Sequence, residues 1–189
     1  GILNRPVRAM IAGIPNVGKS TFINSFAGKA VARTGDKPGV TRGKQWIRLS
    51  RQIELLDTPG ILWPKFDDQV TGMRLALLGS ISDERTDRTE LAVWLICYLE
   101  KEYAGILEER YSLSARLEQA ERQMDGAEDQ LPEGNKQNVD NLKKLASVAL
   151  ARGCMKAGGK VDLEKASAAL IDDLRSGKLG RITLEKPEI

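Results

Sequence analysis

The chain contains no histidine among its 189 residues, so no histidine of this chain can act as a general base. Its two cysteines, Cys97 and Cys154, are isolated and lack the spacing of a metal site or a disulfide framework. Reduced thiols are the simplest interpretation, and we expect a cytoplasmic protein. The longest apolar run, residues 91–99, is far shorter than a membrane span, so we expect no membrane partner.

Aromatic residues are also scarce, at 5% of the chain, and no RNA-recognition motif with stacking aromatics is present. The hydrophobic content of 41% and the charged content of 29% are typical of globular proteins. The net charge of +3 is unevenly distributed. Basic residues prevail in 1–85 and 134–189, and acidic residues prevail in 86–133. Such asymmetry predicts polar partners at particular faces without naming nucleic acid.

The clearest motif is the run GIPNVGKS at residues 13–20, which fits the phosphate-binding pattern G-x-x-x-x-G-K-[ST]. A strand-like run, 7–11, precedes it, and residues 21–26 can continue as a helix. Glycines let successive backbone N–H groups point into one concavity at the helix N-terminus, where phosphate binds. We expect Lys19 to reach the outer phosphates and the Ser20 hydroxyl to bind Mg²⁺.

A second motif follows Lys19 by 38 residues. A strand-like run, 53–56, leads into the sequence DTPG at 57–60. Asp57, at the end of a strand beside the phosphate loop, can hold Mg²⁺ through a water, and the Gly60 N–H can donate to a terminal phosphate. Alone the tetrapeptide is more often a plain turn, but its position favours the nucleotide interpretation.

Between the two motifs, residues 34–41 form a loop rich in turn formers. Thr41 could supply a hydroxyl to the metal when the terminal phosphate is present, which would make the loop a nucleotide-sensing switch. The alternative is a solvated surface loop.

The order of elements predicts two domains. Residues 1–85 show strands near 7–11, 45–49 and 53–57 and a helix over 70–81, which is typical of a mostly parallel α/β sheet. Residues 86–189 are predicted to be all-helical. Their predicted helices are 89–103, 106–111, 139–152 and 163–175, with a polar surface helix and linker over 114–138.

Basic residues cluster in the last fifty positions, among them Lys143, Lys144, Arg152, Lys156, Lys160, Arg175, Lys178 and Arg181. If they share one face they could neutralise RNA phosphates. Ordinary solvated helix faces explain them equally well, and the sequence leaves both interpretations open.

The chain resembles the circularly permuted GTPases of the YlqF/RbgA family, which assist assembly of the large ribosomal subunit. The resemblance rests on GIPNVGKST at 13–21, TGDKPGVT at 34–41, LLDTPGILWPKF at 55–66, GGK at 158–160 and DLRSGKLGRITLE at 173–185. It implies a Ras-like P-loop NTPase fold, followed by a small helical domain that binds ribosomal RNA.

The resemblance further implies a slow GTPase that binds GTP and GDP with Mg²⁺ and is stimulated by the large-subunit precursor. Nucleotide contacts would come from Asn16, Val17, Gly18, Lys19, Ser20, Thr21 and Gly60, and metal contacts from Ser20, Thr41 and Asp57. Lys19, Thr41 and Gly60 would act in hydrolysis. Asn16 matches an asparagine that supports K⁺ in relatives, and apolar Ile61 stands where a Ras-like protein has a water-orienting glutamine.

One departure from the family concerns base recognition. The family's Asn-Lys-x-Asp motif precedes its phosphate loop, whereas only twelve residues precede Gly13 here. We therefore expect a C-terminal part of the permuted fold, which is incomplete here, and a monomer. An RNA- or ribosome-binding module with a degenerate nucleotide site remains an alternative, and an ATPase is a third.

Overall fold

A computed structural model describes residues 5–32, 35, 43–62, 68–82, 86–124 and 136–186. By its internal contacts the chain divides into two compact units, Gly1–Arg85 and Thr86–Ile189. The first is an α/β unit and the second is helical.

The α/β unit alternates strands and helices. Its described elements are β1 (Val7–Ile11), α1 (Lys19–Ala27), β2 (Gln45–Arg48), β3 (Ile53–Asp57) and α2 (Gln69–Leu77). The three predicted strands are therefore present within one residue of their expected bounds. The predicted helix 70–81 ends earlier, at Leu77, because Gly79 adopts a left-handed conformation with φ 71°.

The described sheet has the order β1-β3-β2 and is mixed, whereas the sequence analysis expected a mostly parallel one. β1 runs parallel to β3, but β2 pairs antiparallel with β3. The reason is the short connection between β2 and β3, residues 49–52, which is long enough for a hairpin and too short for a parallel crossover.

A small apolar core lies between α1 and this sheet. Its buried members are Ile23, Ala32, Ile47 and Leu55. Several large apolar side chains of the unit are exposed: Val7, Met10, Val17, Phe22, Phe26, Trp46, Ile61, Val70 and Leu78. The α/β unit thus buries only part of the apolar surface that its elements carry.

The helical unit contains α3 (Arg88–Glu102), α4 (Ile106–Tyr111), α5 (Leu117–Gln123), α6 (Lys136–Arg152) and α7 (Leu163–Arg175). These match the expected helices closely, except that α6 begins three residues earlier than predicted. Long side chains of α3, α6 and α7, among them Leu95, Leu145 and Leu170, are completely buried. The helices therefore pack around a core of their own.

Among the described residues, no helix is both long and apolar enough to cross a lipid bilayer.

Candidate nucleotide-binding site

Strand register places the two motifs side by side. β1 and β3 are parallel, and Ile11, the last residue of β1, lies opposite Asp57, the last residue of β3. The phosphate loop begins at Gly13, directly after β1, so it leaves the same edge of the sheet at which Asp57 ends its strand. The Thr58 hydroxyl donates to the Ile11 carbonyl oxygen at 2.7 Å and fixes the two strand ends to each other.

The phosphate loop enters α1 through backbone conformations that few residues adopt. Asn16 has φ 58° and Gly18, the N-cap of α1, has φ 86°. Asparagine and glycine are the residues that tolerate this left-handed region best. The candidate residues Asn16, Val17 and Gly18 therefore form the turn, and Lys19, Ser20 and Thr21 form the first turn of the helix.

The N-terminus of α1 differs from those of three other helices in how it is capped. Asp68, Asp87 and Asp162 cap α2, α3 and α7 with side chains that accept from first-turn N–H groups. Gly18 supplies no such side chain, and the first turn of α1 carries no acidic residue. Its N–H groups can therefore donate to an external anion, which the helix dipole also favours.

Lys19 bends back over the loop that precedes it. Its Nζ donates to the Ile14 carbonyl oxygen at 2.7 Å and to the Gly13 carbonyl oxygen at 3.1 Å. Partial burial lowers the pKa of Lys19, and the carboxylate of Asp57 opposes this effect. The ammonium group is thus held over the loop, where an anion bound by the loop would meet it.

Asp57 is a buried carboxylate at the end of β3. The residue is 2% exposed, and its Oδ1 accepts no hydrogen bond from the described residues. Burial raises the pKa of Asp57, although Lys19 and the Thr58 backbone N–H lower it. A buried, unpartnered carboxylate oxygen is costly unless a cation or water satisfies it.

The buried Asp57 carboxylate therefore suits Mg²⁺, and Ser20, the other predicted ligand in the described part, lies in the first turn of α1. No group of three or more histidine, cysteine, aspartate or glutamate side chains that could hold a metal occurs in the described part. Mg²⁺ does not require one, because it commonly keeps its waters and binds one carboxylate together with substrate phosphates. The remaining predicted metal ligand, Thr41, lies outside the described residues, as does almost all of the loop 34–41.

Gly60 lies against the backbone of the phosphate loop. A Cβ atom at this position would stand 2.5 Å from both Cα and N of Pro15 and 2.9 Å from the carbonyl carbon of Ile14. Such distances are far below van der Waals contact. Only glycine fits here, and the reason is close backbone approach, since the φ of Gly60 does not lie in the left-handed region.

Two hydrogen bonds that sequence reasoning missed join the phosphate loop to the end of α2. The Asn16 side-chain Nδ2 donates to the Gly79 carbonyl oxygen at 2.7 Å, and the Ser80 hydroxyl donates to the Pro15 carbonyl oxygen at 2.7 Å. The partners lie 63 and 65 residues apart, and no short motif signals such pairs. The asparagine predicted to support K⁺ thus also holds the loop in place.

Asn24 is a further residue that the sequence analysis did not single out. Its Oδ1 accepts from the backbone N–H groups of Val31 and Ala32, and its Nδ2 donates to the Ala32 carbonyl oxygen. These three bonds anchor the chain to α1 just before the loop 34–41. The sequence feature that could have identified Asn24 is a polar residue on the inward side of a short amphipathic helix.

The fold resembles solved structures of guanine-nucleotide proteins. One is described as the GDP-bound structure of TM YlqF, with a TM-score of 0.60, 25% identity, and coverage of 96% of this chain and 61% of that one. Another, GNP-bound YlqF from Thermotoga maritima, has a TM-score of 0.54 and 28% identity, and covers 96% of this chain and 60% of that one.

Two curated relatives share a name. Ribosome biogenesis GTPase A of Bacillus cereus is 44% identical over 188 residues, which are 100% of this chain and 56% of the relative. The protein of the same name from Thermotoga maritima is 31% identical over 185 residues, 98% of this chain and 58% of the relative. The chain thus spans less than three fifths of the length of these relatives.

The family model of the 50S ribosome-binding GTPases matches residues 8–127, more than half of the chain. This match contains the phosphate loop, Asp57 and Gly60, which the structure brings together at one edge of the sheet. The chain belongs to the family of 50S ribosome-binding GTPases.

Proposed function

We propose that this chain binds GTP and GDP with Mg²⁺ and acts as a GTP-hydrolysing switch during assembly of the large ribosomal subunit. One observation carries the nucleotide part. Lys19, the uncapped first turn of α1 and the unpartnered Asp57 oxygen converge at one edge of the sheet. The ribosomal partner is supported by the relatives, which are named ribosome biogenesis GTPases.

In this proposal the phosphate loop and Lys19 hold the phosphates of the nucleotide. Lys19 exchanges its bonds to the Gly13 and Ile14 carbonyls for bonds to phosphate oxygens, and its charge offsets the charge that develops during hydrolysis. Ser20 and Asp57 hold Mg²⁺, with Thr41 joining in the triphosphate state. Water attacks the terminal phosphorus, the bond to the bridging oxygen breaks, and GDP leaves.

The backbone N–H of Gly60 donates a hydrogen bond to the terminal phosphate and so senses whether that phosphate is present. Because Gly60 already packs on the backbone of Ile14 and Pro15, a change at the phosphates reaches the segment after Gly60 directly. Ile61, which is 75% exposed, cannot orient water, so intrinsic hydrolysis is slow. Binding to the pre-ribosomal particle accelerates it, and hydrolysis relaxes both switch segments and lowers affinity for the particle.

K⁺ is a further part of the proposal and rests on Asn16. Its amide nitrogen donates to Gly79, and the oxygen of the same amide is the atom that would bind a monovalent cation. Phosphate release from GTP should be faster in KCl than in NaCl at equal ionic strength. Equal rates in the two salts would contradict a K⁺ site.

The first experiment is displacement of a fluorescent guanine nucleotide by GTP and by ATP, with Mg²⁺ and K⁺ present. We expect GTP to displace the label, and the effect of ATP tests whether residues of this chain discriminate guanine from adenine. Lys19→Ala should weaken binding by at least about tenfold, because a charge-assisted contact to phosphate is lost. Lys29→Ala, which removes an exposed lysine just after α1, is the matched control and should bind normally.

Two other outcomes favour the alternatives. Equal displacement by ATP would contradict guanine specificity in this chain. If no label binds, the chain acts as an RNA- or ribosome-binding module with a degenerate site. Cosedimentation with large ribosomal subunits tests the switch itself, because a switch binds more strongly with a non-hydrolysable GTP analogue than with GDP.

A further inference from the structure

Helix α2 ends in a compact turn made by its own backbone. Leu78 is the C-cap, and Gly79, with φ 71°, is the left-handed residue that follows it. The Gly79 N–H donates to the Ala76 carbonyl oxygen at 2.9 Å. The Ser80 N–H donates to the Leu75 carbonyl oxygen, also at 2.9 Å. These two bonds form a Schellman motif, which satisfies the last carbonyls of a helix and at Gly79 and Ser80 uses the backbone N–H groups alone.

Two other atoms of the same residues bond the phosphate loop. The Ser80 hydroxyl donates to the Pro15 carbonyl oxygen at 2.7 Å. The Gly79 carbonyl oxygen accepts from the Asn16 side-chain Nδ2, also at 2.7 Å. The residue after the left-handed glycine of a Schellman motif commonly makes an apolar contact, whereas Ser80 is polar and 1% exposed. Ending α2 requires neither bond to the loop, so these two bonds, here called the α2 clamp, serve the loop.

The α2 clamp fixes the orientation of one peptide unit of the phosphate loop. The peptide bond between Pro15 and Asn16 is planar and trans, so its C=O and N–H groups point in opposite directions. Because the Pro15 carbonyl oxygen faces the Ser80 hydroxyl, the Asn16 N–H points away from Ser80. Asn16 is one of the residues proposed to contact the nucleotide, and the clamp therefore determines where its N–H is directed.

The same peptide unit adjoins an uncommon backbone conformation. Asn16 has φ 58°, in the left-handed region, which residues other than glycine seldom adopt. Such conformations persist where the surrounding contacts hold them. The Gly79 carbonyl also determines the rotamer of the Asn16 amide, because a carbonyl oxygen can bond only the NH₂ side of that group. The Asn16 Oδ1 is consequently turned away from Gly79.

The segment that contains α2 meets the phosphate loop at both of its ends. Gly60, at its beginning, packs on the backbone of Ile14 and Pro15, and Ser80, at its end, bonds the Pro15 carbonyl. A displacement of α2 therefore acts on Pro15 through Ser80. A displacement of the loop by a bound nucleotide acts on α2 by the same contact.

We propose that Ser80 is a positioning residue of the nucleotide site. It holds the Pro15–Asn16 peptide in the orientation that binds phosphate, and it couples the end of α2 to that peptide. The inference rests on the proposed function, because it concerns the same bound nucleotide. Ser80 acts through the loop and contacts neither phosphate nor metal, so a partner that shifts α2 changes nucleotide affinity without entering the site.

Backbone amide relaxation, measured by NMR on the whole chain without nucleotide, tests whether Ser80 holds the peptide. The order parameter of the Asn16 amide should be about 0.85, the value of rigid backbone, and should fall to about 0.6 in Ser80→Ala. Ser167→Ala is the matched control in the helical unit. The Ser167 hydroxyl is also buried and also donates to a backbone carbonyl, that of Leu163, at 2.7 Å. Its removal should leave the Asn16 order parameter unchanged.

Titration with a fluorescent GDP analogue and Mg²⁺ tests whether this orientation matters for binding. Ser80→Ala should weaken GDP binding about fivefold, because fewer molecules then hold the loop in the binding-competent conformation. Ser167→Ala should bind normally. Ser80→Thr keeps the hydroxyl and should restore most of the loop rigidity and most of the affinity. Thermal unfolding of each variant checks that the fold persists.

Two results would overturn the proposal. One is an unchanged Asn16 order parameter in Ser80→Ala, and the other is an equal loss of GDP affinity in Ser80→Ala and Ser167→Ala. An absence of nucleotide binding by the unmodified chain would instead contradict the proposed function. In that case the order parameters, which are measured without nucleotide, still decide whether Ser80 holds the Pro15–Asn16 peptide.

Discussion

At the scale of single residues, the phosphate loop is positioned by backbone contacts as much as by side-chain chemistry. Gly60 packs directly on the backbone of Ile14 and Pro15, and the Ser80 hydroxyl donates a hydrogen bond to the Pro15 carbonyl oxygen. Gly60, which we propose senses the terminal phosphate, therefore also supports the loop proposed to bind the other phosphates. Both roles depend on the absence of a side chain.

Gly60→Ala should weaken guanine nucleotide binding by at least about tenfold. The added methyl group cannot fit 2.5 Å from Pro15 Cα, so the loop or the segment after β3 must move. Gly43→Ala is the control, because a Cβ there meets no atom within 4 Å and the φ of Gly43 is not left-handed. Titration with a fluorescent GDP analogue measures both, and normal affinity in Gly60→Ala would refute the steric argument.

The sequence predicts the residues of the candidate site only where they belong to a short motif. The run 13–20 and Asp57 could be assigned because a short motif, a strand end and their spacing carry the chemistry. Asn24 and Ser80 could not, since their roles depend on contacts that appear only after the chain folds. In the same way, the sequence counts Lys143 and Lys144 as basic charge, whereas their partners Glu121 and Glu100 neutralise them.

At the scale of elements, Asp173 connects α7 to α4, to the end of α6 and to the turn that follows α7. The groups that face it are the Tyr111 hydroxyl and the cations Arg110, Arg152 and Lys178. Burial alone would raise the pKa of Asp173, but the Tyr111 hydrogen bond and the three cations outweigh it and lower the pKa. Burial raises the pKa of the Tyr111 hydroxyl, and its hydrogen bond to the Asp173 carboxylate raises this pKa further.

Asp173→Asn should destabilise the helical unit by about 3 kcal/mol at neutral pH, because three cations lose their buried counter-charge. Since the folded-state pKa of Asp173 is lowered, its stabilising effect is complete above the unfolded-state pKa of about 3.9. It disappears as the pH falls through the folded-state pKa. The difference between the variant and the unmodified chain should therefore shrink in acid.

Urea unfolding followed by far-ultraviolet circular dichroism, at neutral pH and below pH about 3, measures this difference. Asp172→Asn, which changes the neighbouring carboxylate on the exposed side of α7, is the matched control. A difference that stays constant over the pH range would mean that the Asp173 carboxylate does not stabilise the fold through its charge.

Element boundaries could be predicted from the sequence where a side chain marks them. Asp87 and Asp162 cap α3 and α7, and they stand just before the predicted helices 89–103 and 163–175. The direction in which neighbouring strands pair was harder to predict from the sequence. A mostly parallel sheet was expected from the alternation of strands and helices, whereas the short connection after β2 makes β2 antiparallel to β3. Loop length decided this pairing, and hydrophobic periodicity carried no information on it.

At the scale of the whole molecule, the two units differ in how completely they bury their apolar side chains. In the described part of the α/β unit, Val7, Met10, Phe22 and Phe26 are exposed, and the sheet core is the small cluster around Ile23. The helical unit completely buries leucines from α3, α6 and α7. Apolar burial is the main source of stability, so the α/β unit should be the less stable of the two.

We therefore expect two transitions in thermal unfolding, of which the lower belongs to the α/β unit. GDP with Mg²⁺ at about 100 times its dissociation constant should stabilise that unit by about 2.7 kcal/mol and raise only the lower transition. GDP at the same concentration with the Lys19→Ala variant is the control and should raise the lower transition less, by about 1.4 kcal/mol for a tenfold loss of affinity. Differential scanning calorimetry separates the transitions, and an equal shift of both would show that the units unfold as one cooperative body.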